Sequence, residues 1–313
     1  MVTDIIIGLF ILFAQRHRRK TMGEPLSQQS EPQPRTPSSR IFLAIPARLH
    51  STRLFEKPLQ DLCGKPLISR VTERALAFAK ELERKPGIDK TRVIVATDDE
   101  RIAQCIRDAG AHAAMTPAEL PSGTDRIFAA LEPLAPADQD LVVNIQGDEP
   151  FFSFQDVEGL IAKMLSNPEI PMGTIAFPRT SREHFFRSSV VKVVCDTNAR
   201  AIYFTRSPAP WPRSSLGASG LEWMAPPAAE STIESFLHHL GVYAYRFHAL
   251  RTFARQLPAS RLEKLEGLEQ LRAIEAGWHI AISIAQEEPF GIDTPEDLAR
   301  AVEFLNTAKD TSP

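Results

Sequence analysis

The sequence predicts an α/β protein with a mostly parallel sheet flanked by helices and a smaller antiparallel part. Three observations carry this. Short apolar runs at 41–45, 92–97 and 141–145 have the length and content of buried strands. Helical patterns separate them, a rhythm that gives parallel strands joined by right-handed crossovers. Further on, runs at 171–178, 190–195 and 201–205 follow one another at hairpin-type spacing.

The whole chain has 313 residues, 43% hydrophobic and 24% charged, with a formal net charge of −3. That composition is globular and long enough for a large core or two lobes. The near-neutral balance gives no argument for nucleic acid, so any cation cluster is a local site. Cys63, Cys105 and Cys195 are spread apart. Their number and spacing fit a reducing, cytoplasmic location and small buried thiols, and exclude a Cys-rich zinc site.

Residues 5–14 form an apolar run followed by Arg16, His17, Arg18, Arg19 and Lys20. Spanning a bilayer takes about 20 residues, so this run is too short. Contact with a membrane surface through residues 5–20 is one reading. A start at Met22 is the favoured one. Residues 23–40 are rich in Pro, Ser, Gln and Glu and read as a disordered linker.

The first strand, 41–45, is expected to end at Pro46. The loop after it carries Arg48, Ser51, Thr52, Arg53 and Lys57. Cations and hydroxyls at the carboxyl end of a strand, ahead of a helix, suit a triphosphate. The loop lacks the glycines of a P-loop or of a dinucleotide fingerprint. A solvated basic loop is the plain alternative. A helix follows over 67–84, then the strand 92–97 ending in Asp98-Asp99, a short helix over 101–109 and a weak strand at 111–115. The loop 120–126 holds Ser122, Gly123 and Thr124. Its hydroxyls can bond a base or phosphate, or simply cap the helix at 127–134.

The strand 141–145 runs into Gln146-Gly147-Asp148-Glu149-Pro150. An acid released by a glycine at a strand end is placed to hold a metal, although a turn explains the motif equally well. Residues 207–232 form a long loop. The adjacent His238 and His239 precede an apolar strand and do not make a zinc site. Helices are expected over 249–256 and 262–275, the second with Leu262, Leu265, Leu268, Leu271 and Ile274 on one stripe. Glu269 and Gln270 lie beside that stripe, facing a sugar or only solvent. After a strand at 280–285, Thr294-Pro295-Glu296-Asp297 reads as a helix cap. Asp293 stands just outside it, at a strand–helix junction like that of Asp148. The two acids are positioned to share one Mg²⁺.

Eight blocks in order, IPARxxSTRLxxKPLxDLxGKPLI, VIVATDD, SGTDR, VNIQGDEP, KVV, HHLGVYAYR, LEKLEGLEQLR and GIDTPEDL, resemble the 3-deoxy-manno-octulosonate (Kdo) cytidylyltransferases, the CMP-Kdo synthetases of lipopolysaccharide synthesis. The resemblance covers residues 41–305. It implies a nucleotide-diphospho-sugar transferase fold, usually a homodimer, in which the smaller antiparallel part serves dimerisation and sugar binding. It implies the reaction CTP + Kdo → CMP-Kdo + pyrophosphate, with Mg²⁺. By position, Arg48, Ser51, Thr52, Arg53 and Lys57 would hold the CTP phosphates, and Ser122, Gly123 and Thr124 would line the cytidine pocket. Asp148 and Asp293 would bind the metal. Gln146, Arg206, His239, Tyr243, Glu269 and Gln270 would hold Kdo, Arg206 as the partner of its carboxylate. Arg48, Lys57, Asp148 and Asp293 would be the catalytic set.

The expected boundaries are a disordered segment over 1–40, a cytidylyltransferase domain over 41–306 and a disordered tail over 307–313. Two departures from the family stand out. Phe55-Glu56 replaces the usual Pro-Gly before Lys57, and the 207–232 loop is longer than usual. The alternatives are a cytidylyltransferase for another acidic sugar such as a sialic acid, a non-catalytic sugar-nucleotide binding module, and a membrane-associated scaffold.

Overall fold

The computed structural model describes residues 39–51, 53–213 and 232–310. Expectations for the apolar run at 5–14, the linker, Thr52 and most of the 207–232 loop lie outside the described residues. Strand β1 (Ser39–Ala47) is central. It pairs in parallel with β2 (Ile88–Thr97) on one side and β4 (Leu141–Asn144) on the other. β3 (His112–Met115) pairs in parallel with β2 at the edge. Both faces of β1 are covered. Ile41, Leu43 and Ile45 pack under α1 (Leu67–Leu82) with Ile68, Val71 and Phe78, whereas Phe42 and Ala44 face Ile127, Leu131 and Phe253. A strand buried on both faces reads as an unbroken apolar run, which is why it was visible without alternation.

Pro46 does not end β1, which continues in register with β2 to Ala47. The Ile145 N–H donates to the Ala44 carbonyl, so Ala44 bonds toward β4. Pro46, two residues on, faces the same side past the end of β4, where its missing N–H costs no ladder bond.

The sheet order is β3-β2-β1-β4-β8-β5-β9. The strand β8 (Thr232–Arg246) runs antiparallel between β4 and β5 (Met172–Ser181). β9 (Ile280–Ile284) restores a parallel edge against β5. The strands β6 (Lys192–Cys195) and β7 (Ala201–Thr205) form the expected hairpin, and β6 also pairs with β8. β5 therefore belongs to the main sheet, and the antiparallel part is joined to that sheet through the long β8.

The other helices are α2 (Glu100–Asp108), α3 (Gly123–Leu131), α4 (Phe154–Ser166), α5 (Arg182–Phe186), α6 (Phe247–Arg255), α7 (Arg261–Glu266), α8 (Gln270–Glu275) and α9 (Pro295–Asp310). Neither α4 nor α5 was expected. The helix expected over 262–275 is two helices. Gly267 adopts φ 63° and caps α7, so the leucine stripe crosses a turn. α9 extends four residues into the stretch expected to be tail. Among the described residues, no helix is long and apolar enough to cross a membrane.

Candidate active site

A cleft of about 340 Å³ opens at the carboxyl ends of β1 and β4, where open α/β sheets place ligands. Arg48, Ser51, Arg53, Lys57, Ser122, Gly123, Gln146, Asp148, Glu269 and Asp293 all line it. Residues expected to bind nucleotide, metal and sugar therefore meet in one place, although they come from segments up to 245 residues apart.

Backbone contacts set the floor of this cleft. A Cβ on Gly147 would stand 2.8 Å from the Pro46 carbonyl oxygen, so only glycine lets β4 release its chain so close to β1. The Ile292 N–H donates to the Asp148 carbonyl at 2.9 Å, which draws the Asp293 junction against the Asp148 turn. The cap reading of α9 holds: the Asp297 N–H donates to Thr294 Oγ1, and Asp297 Oδ2 accepts from the Thr294 and Asp293 N–H groups. The Asp293 carboxylate stays outside the cap.

That carboxylate and Asp148 converge on one ammonium. Lys57 Nζ lies 2.5 Å from Asp148 Oδ2 and 2.8 Å from Asp293 Oδ1, and Arg53 Nη1 is 3.0 Å from Asp293 Oδ2. Burial lowers the Lys57 pKa, but Asp148 and Asp293 outweigh it and hold the ammonium above its usual value. Glu149 behaves oppositely: burial, then Asp148 and Asp293, push it up to about 8. Among the described residues, no group of three or more His, Cys, Asp or Glu side chains forms a metal cage. Two hard carboxylates that already share one cation suit Mg²⁺, which binds proteins through one or two carboxylates and takes its other ligands from phosphates and water.

On the nucleotide side, Ser122 caps α3. Its Oγ accepts from the Asp125 N–H, and its hydroxyl donates to Asp125 Oδ2 at 2.7 Å. The cap reading of Ser122 is thus realised at the cleft wall. Gly123 packs under Pro46, and Thr124 is buried behind it. Glu56 takes φ 45°, a left-handed conformation that glycine adopts freely. Its carboxylate pairs with Arg101 at 3.0 Å instead of facing the cleft.

The expected sugar residues divide. Gln146 and Glu269 line the cleft; Gln146 Nε2 donates to the Gly241 carbonyl at 2.8 Å. His239, Tyr243 and Gln270 lie behind the wall. His239 Nε2 meets Thr174 Oγ1 at 3.0 Å, and burial lowers its pKa to about 3, so the ring is neutral. Burial raises Tyr243 well above the usual phenol value. Gln270 is buried, and among the described residues its Nε2 and the buried Glu269 Oε2 have no hydrogen-bond partner. Arg206 does not line the cleft. Its guanidinium donates to the carbonyls of Glu266, Ser188 and Gly267 at 2.6, 3.1 and 3.3 Å.

Sequence reasoning missed several lining residues, among them Pro46, His50, Arg126 and Gly147. Arg126 is the informative one. It stands in the SGTDR block as the last residue of the expected loop 120–126, but it belongs to α3 and is almost fully buried beside Asp98. A charged residue within a helical apolar stretch was the available signal.

Comparison with known proteins agrees with this geometry. Residues 42–284 match the cytidylyltransferase family. A 3-deoxy-manno-octulosonate cytidylyltransferase of Syntrophobacter fumaroxidans is 43% identical over 266 residues, covering 85% of this chain and 97% of that protein. A solved structure of CMP:2-keto-3-deoxy-manno-octonic acid synthetase complexed with CTP superposes with a TM-score of 0.72 at 37% identity, covering 87% of this chain and all of that one. The shared architecture is the nucleotide-diphospho-sugar transferase fold. The chain belongs to the cytidylyltransferase family.

Proposed function

We propose that this protein activates Kdo with CTP, giving CMP-Kdo and pyrophosphate for lipopolysaccharide synthesis. The observation that carries the reading is the convergence of Asp148 and Asp293 on one cation at the mouth of a cleft lined by Arg48, Arg53 and Lys57. The likeness to a CMP-Kdo synthetase complexed with CTP supports the substrates.

In the reaction, the anomeric hydroxyl of Kdo attacks the α-phosphorus of CTP in line. A new C–O–P link forms, the bond to the bridging oxygen of the β-phosphate breaks, and the hydroxyl proton passes to solvent. Such transfers need positioning and charge neutralisation more than covalent help. Asp148 and Asp293 would hold Mg²⁺, which when bound polarises the α-phosphate and acidifies the attacking hydroxyl. Arg48, Arg53 and Lys57, with Ser51 and Thr52, hold the phosphates and offset the charge growing on pyrophosphate. Ser122, Gly123 and Thr124 form the cytidine wall.

Gln146 and Glu269 hold sugar hydroxyls, with His239, Tyr243 and Gln270 behind them. Arg206 is the expected partner of the Kdo carboxylate, and it reaches that group only by releasing the carbonyls of Glu266 and Gly267. The free cysteines suit a cytoplasmic enzyme, and the active form is a homodimer, as the resemblance implies.

The test is pyrophosphate release with CTP, Mg²⁺ and either Kdo or N-acetylneuraminate. Release with Kdo alone, abolished by EDTA and restored by excess Mg²⁺, is the expected result. Release with N-acetylneuraminate alone would replace Kdo by a sialic acid. Release with neither sugar would refute the assignment.

A further inference from the structure

The acids Asp98 and Asp99 close β2 and take no part in the reaction described above. Both are committed to the segment that carries Arg48, Ser51, Arg53 and Lys57. The pairing of Ala47 with Thr97 brings the ends of β1 and β2 side by side, so the two acids stand at the root of that segment.

Asp98 holds its first turn. Its Oδ1 accepts from the Leu49 N–H at 3.0 Å, one residue after Arg48. Its Oδ2 pairs with Arg126 Nη2 at 3.1 Å, and both side chains are buried. Arg126 is fixed in turn by Thr116 Oγ1 at 2.6 Å. A carboxylate shared between a buried guanidinium and one backbone N–H is a rigid anchor, because neither partner can turn to water.

Asp99 holds the far end through Arg101. The Arg101 guanidinium meets both Asp99 oxygens, Nε at 3.1 Å and Nη2 at 3.0 Å. Its remaining Nη1 reaches Glu56 Oε1 at 3.0 Å. Glu56 is the residue before Lys57, and its φ of 45° is one that a side-chain-bearing residue rarely adopts. The ion pair holds this backbone in place and removes the Glu56 charge from the cleft. Asp99 is itself fixed as the cap of α2, accepting from the Arg101 N–H at 2.9 Å.

We propose that Asp98 and Asp99 form a two-point clamp on the phosphate-binding segment, Asp98 acting through Leu49 and Arg126, and Asp99 through Arg101 and Glu56. They are positioning residues, and Arg101 is the link through which a left-handed Glu56 is tolerated beside Lys57. The inference rests on the reading that Arg48 to Lys57 hold the CTP phosphates.

The experiment is steady-state kinetics of the full chain, varying CTP and Kdo separately, with thermal unfolding of each variant. Arg101→Met is expected to raise KM for CTP about threefold, the range of an exposed ion pair, with KM for Kdo and Tm little changed. Glu56→Gly in the Arg101→Met background is expected to recover the parental KM, because glycine adopts φ 45° without a tether. Asp98→Ala, assayed well below its own Tm, is expected to raise KM for CTP about tenfold or more, with KM for Kdo unchanged.

Lys57→Met serves as the control for the underlying reading. An unaffected Lys57→Met enzyme would show that the segment does not hold CTP. A crippled Lys57→Met enzyme beside an unchanged Arg101→Met enzyme would overturn the clamp alone. Failure of Glu56→Gly to rescue, or a parallel rise of both KM values tracking Tm, would also overturn it.

Discussion

The two ends of the candidate site are built differently. At the end expected to hold the nucleotide and metal, the candidate residues stand on loops that leave β1, β4 and β9, and their charges pair directly with one another in the cleft. At the end expected to hold the sugar, His239 and Tyr243 lie within the strand β8, and Gln270 opens the helix α8; all three are packed against neighbours behind the cleft wall. The first end is a set of charges that pair with one another at the cleft surface. The second is a piece of core with polar atoms left facing inward. Substitutions at the first should therefore act on chemistry and leave folding alone, whereas substitutions at the second should move stability and binding together.

The largest expected effect tests the open end. Asp148→Asn should lower turnover by about 10³-fold, the scale of losing a key electrostatic group, while Tm stays within a few degrees. Pyrophosphate release and calorimetry measure the two quantities. A well-folded Asp148→Asn enzyme with near-parental turnover would end the metal role, and a collapse of Tm would erase the contrast between the two ends.

The buried end is probed by pH. His239 in the folded protein takes up no proton until about pH 3, but an unfolded histidine does so near 6.5. Between those values the unfolded chain binds the extra proton, so stability falls as pH drops, by up to about 1.4 kcal/mol per unit for this one group. His239→Gln should make the decline in Tm below pH 6.5 shallower than in the parent. Superimposable Tm–pH curves would mean that His239 is already hydrated and that the sugar end is more open than the packing indicates.

The smallest effect is the sharpest. The Gln270 Nε2 group is buried without a partner among the described residues, a state that costs roughly 1–3 kcal/mol. Gln270→Leu should leave stability unchanged or raise it by about 1 kcal/mol, while KM for Kdo rises severalfold. A destabilised Gln270→Leu variant with normal Kdo kinetics would make Gln270 an ordinary structural residue.

The same difference explains what could be read from the chain. β1, β2 and β4 are buried on both faces and follow one another with helices between, so their apolar runs and polar ends were plain. The loop cations and the two acids were visible for the same reason, since each stands between a strand and the helix that follows it. The sugar end gave no local signal. His239 and Gln270 look like any polar residues beside apolar ones; Gln270 read as facing either a sugar or solvent, and the resemblance gave both their sugar role. The break at Gly267 was hidden by a leucine stripe that runs through it. The commitment of Arg206 to backbone carbonyls, and of Arg101 to Glu56, depends on neighbours 45 to 60 residues away and has no mark in local spacing.

Lys57 and Arg53, locked with Asp148 and Asp293, form a circuit of two positive and two negative charges that cancels at a distance. Such a group has a short-ranged field and does little to draw a triphosphate from solution. Arg48 is exposed at the mouth of the cleft, and among the described residues no carboxylate pairs with it. If the proposed site holds CTP, its long-range capture falls largely to this one guanidinium, and the association rate should decline only gently as ionic strength rises. In the proposed reaction the inner four charges act later, when the incoming phosphates break the circuit and take the two cations from the acids.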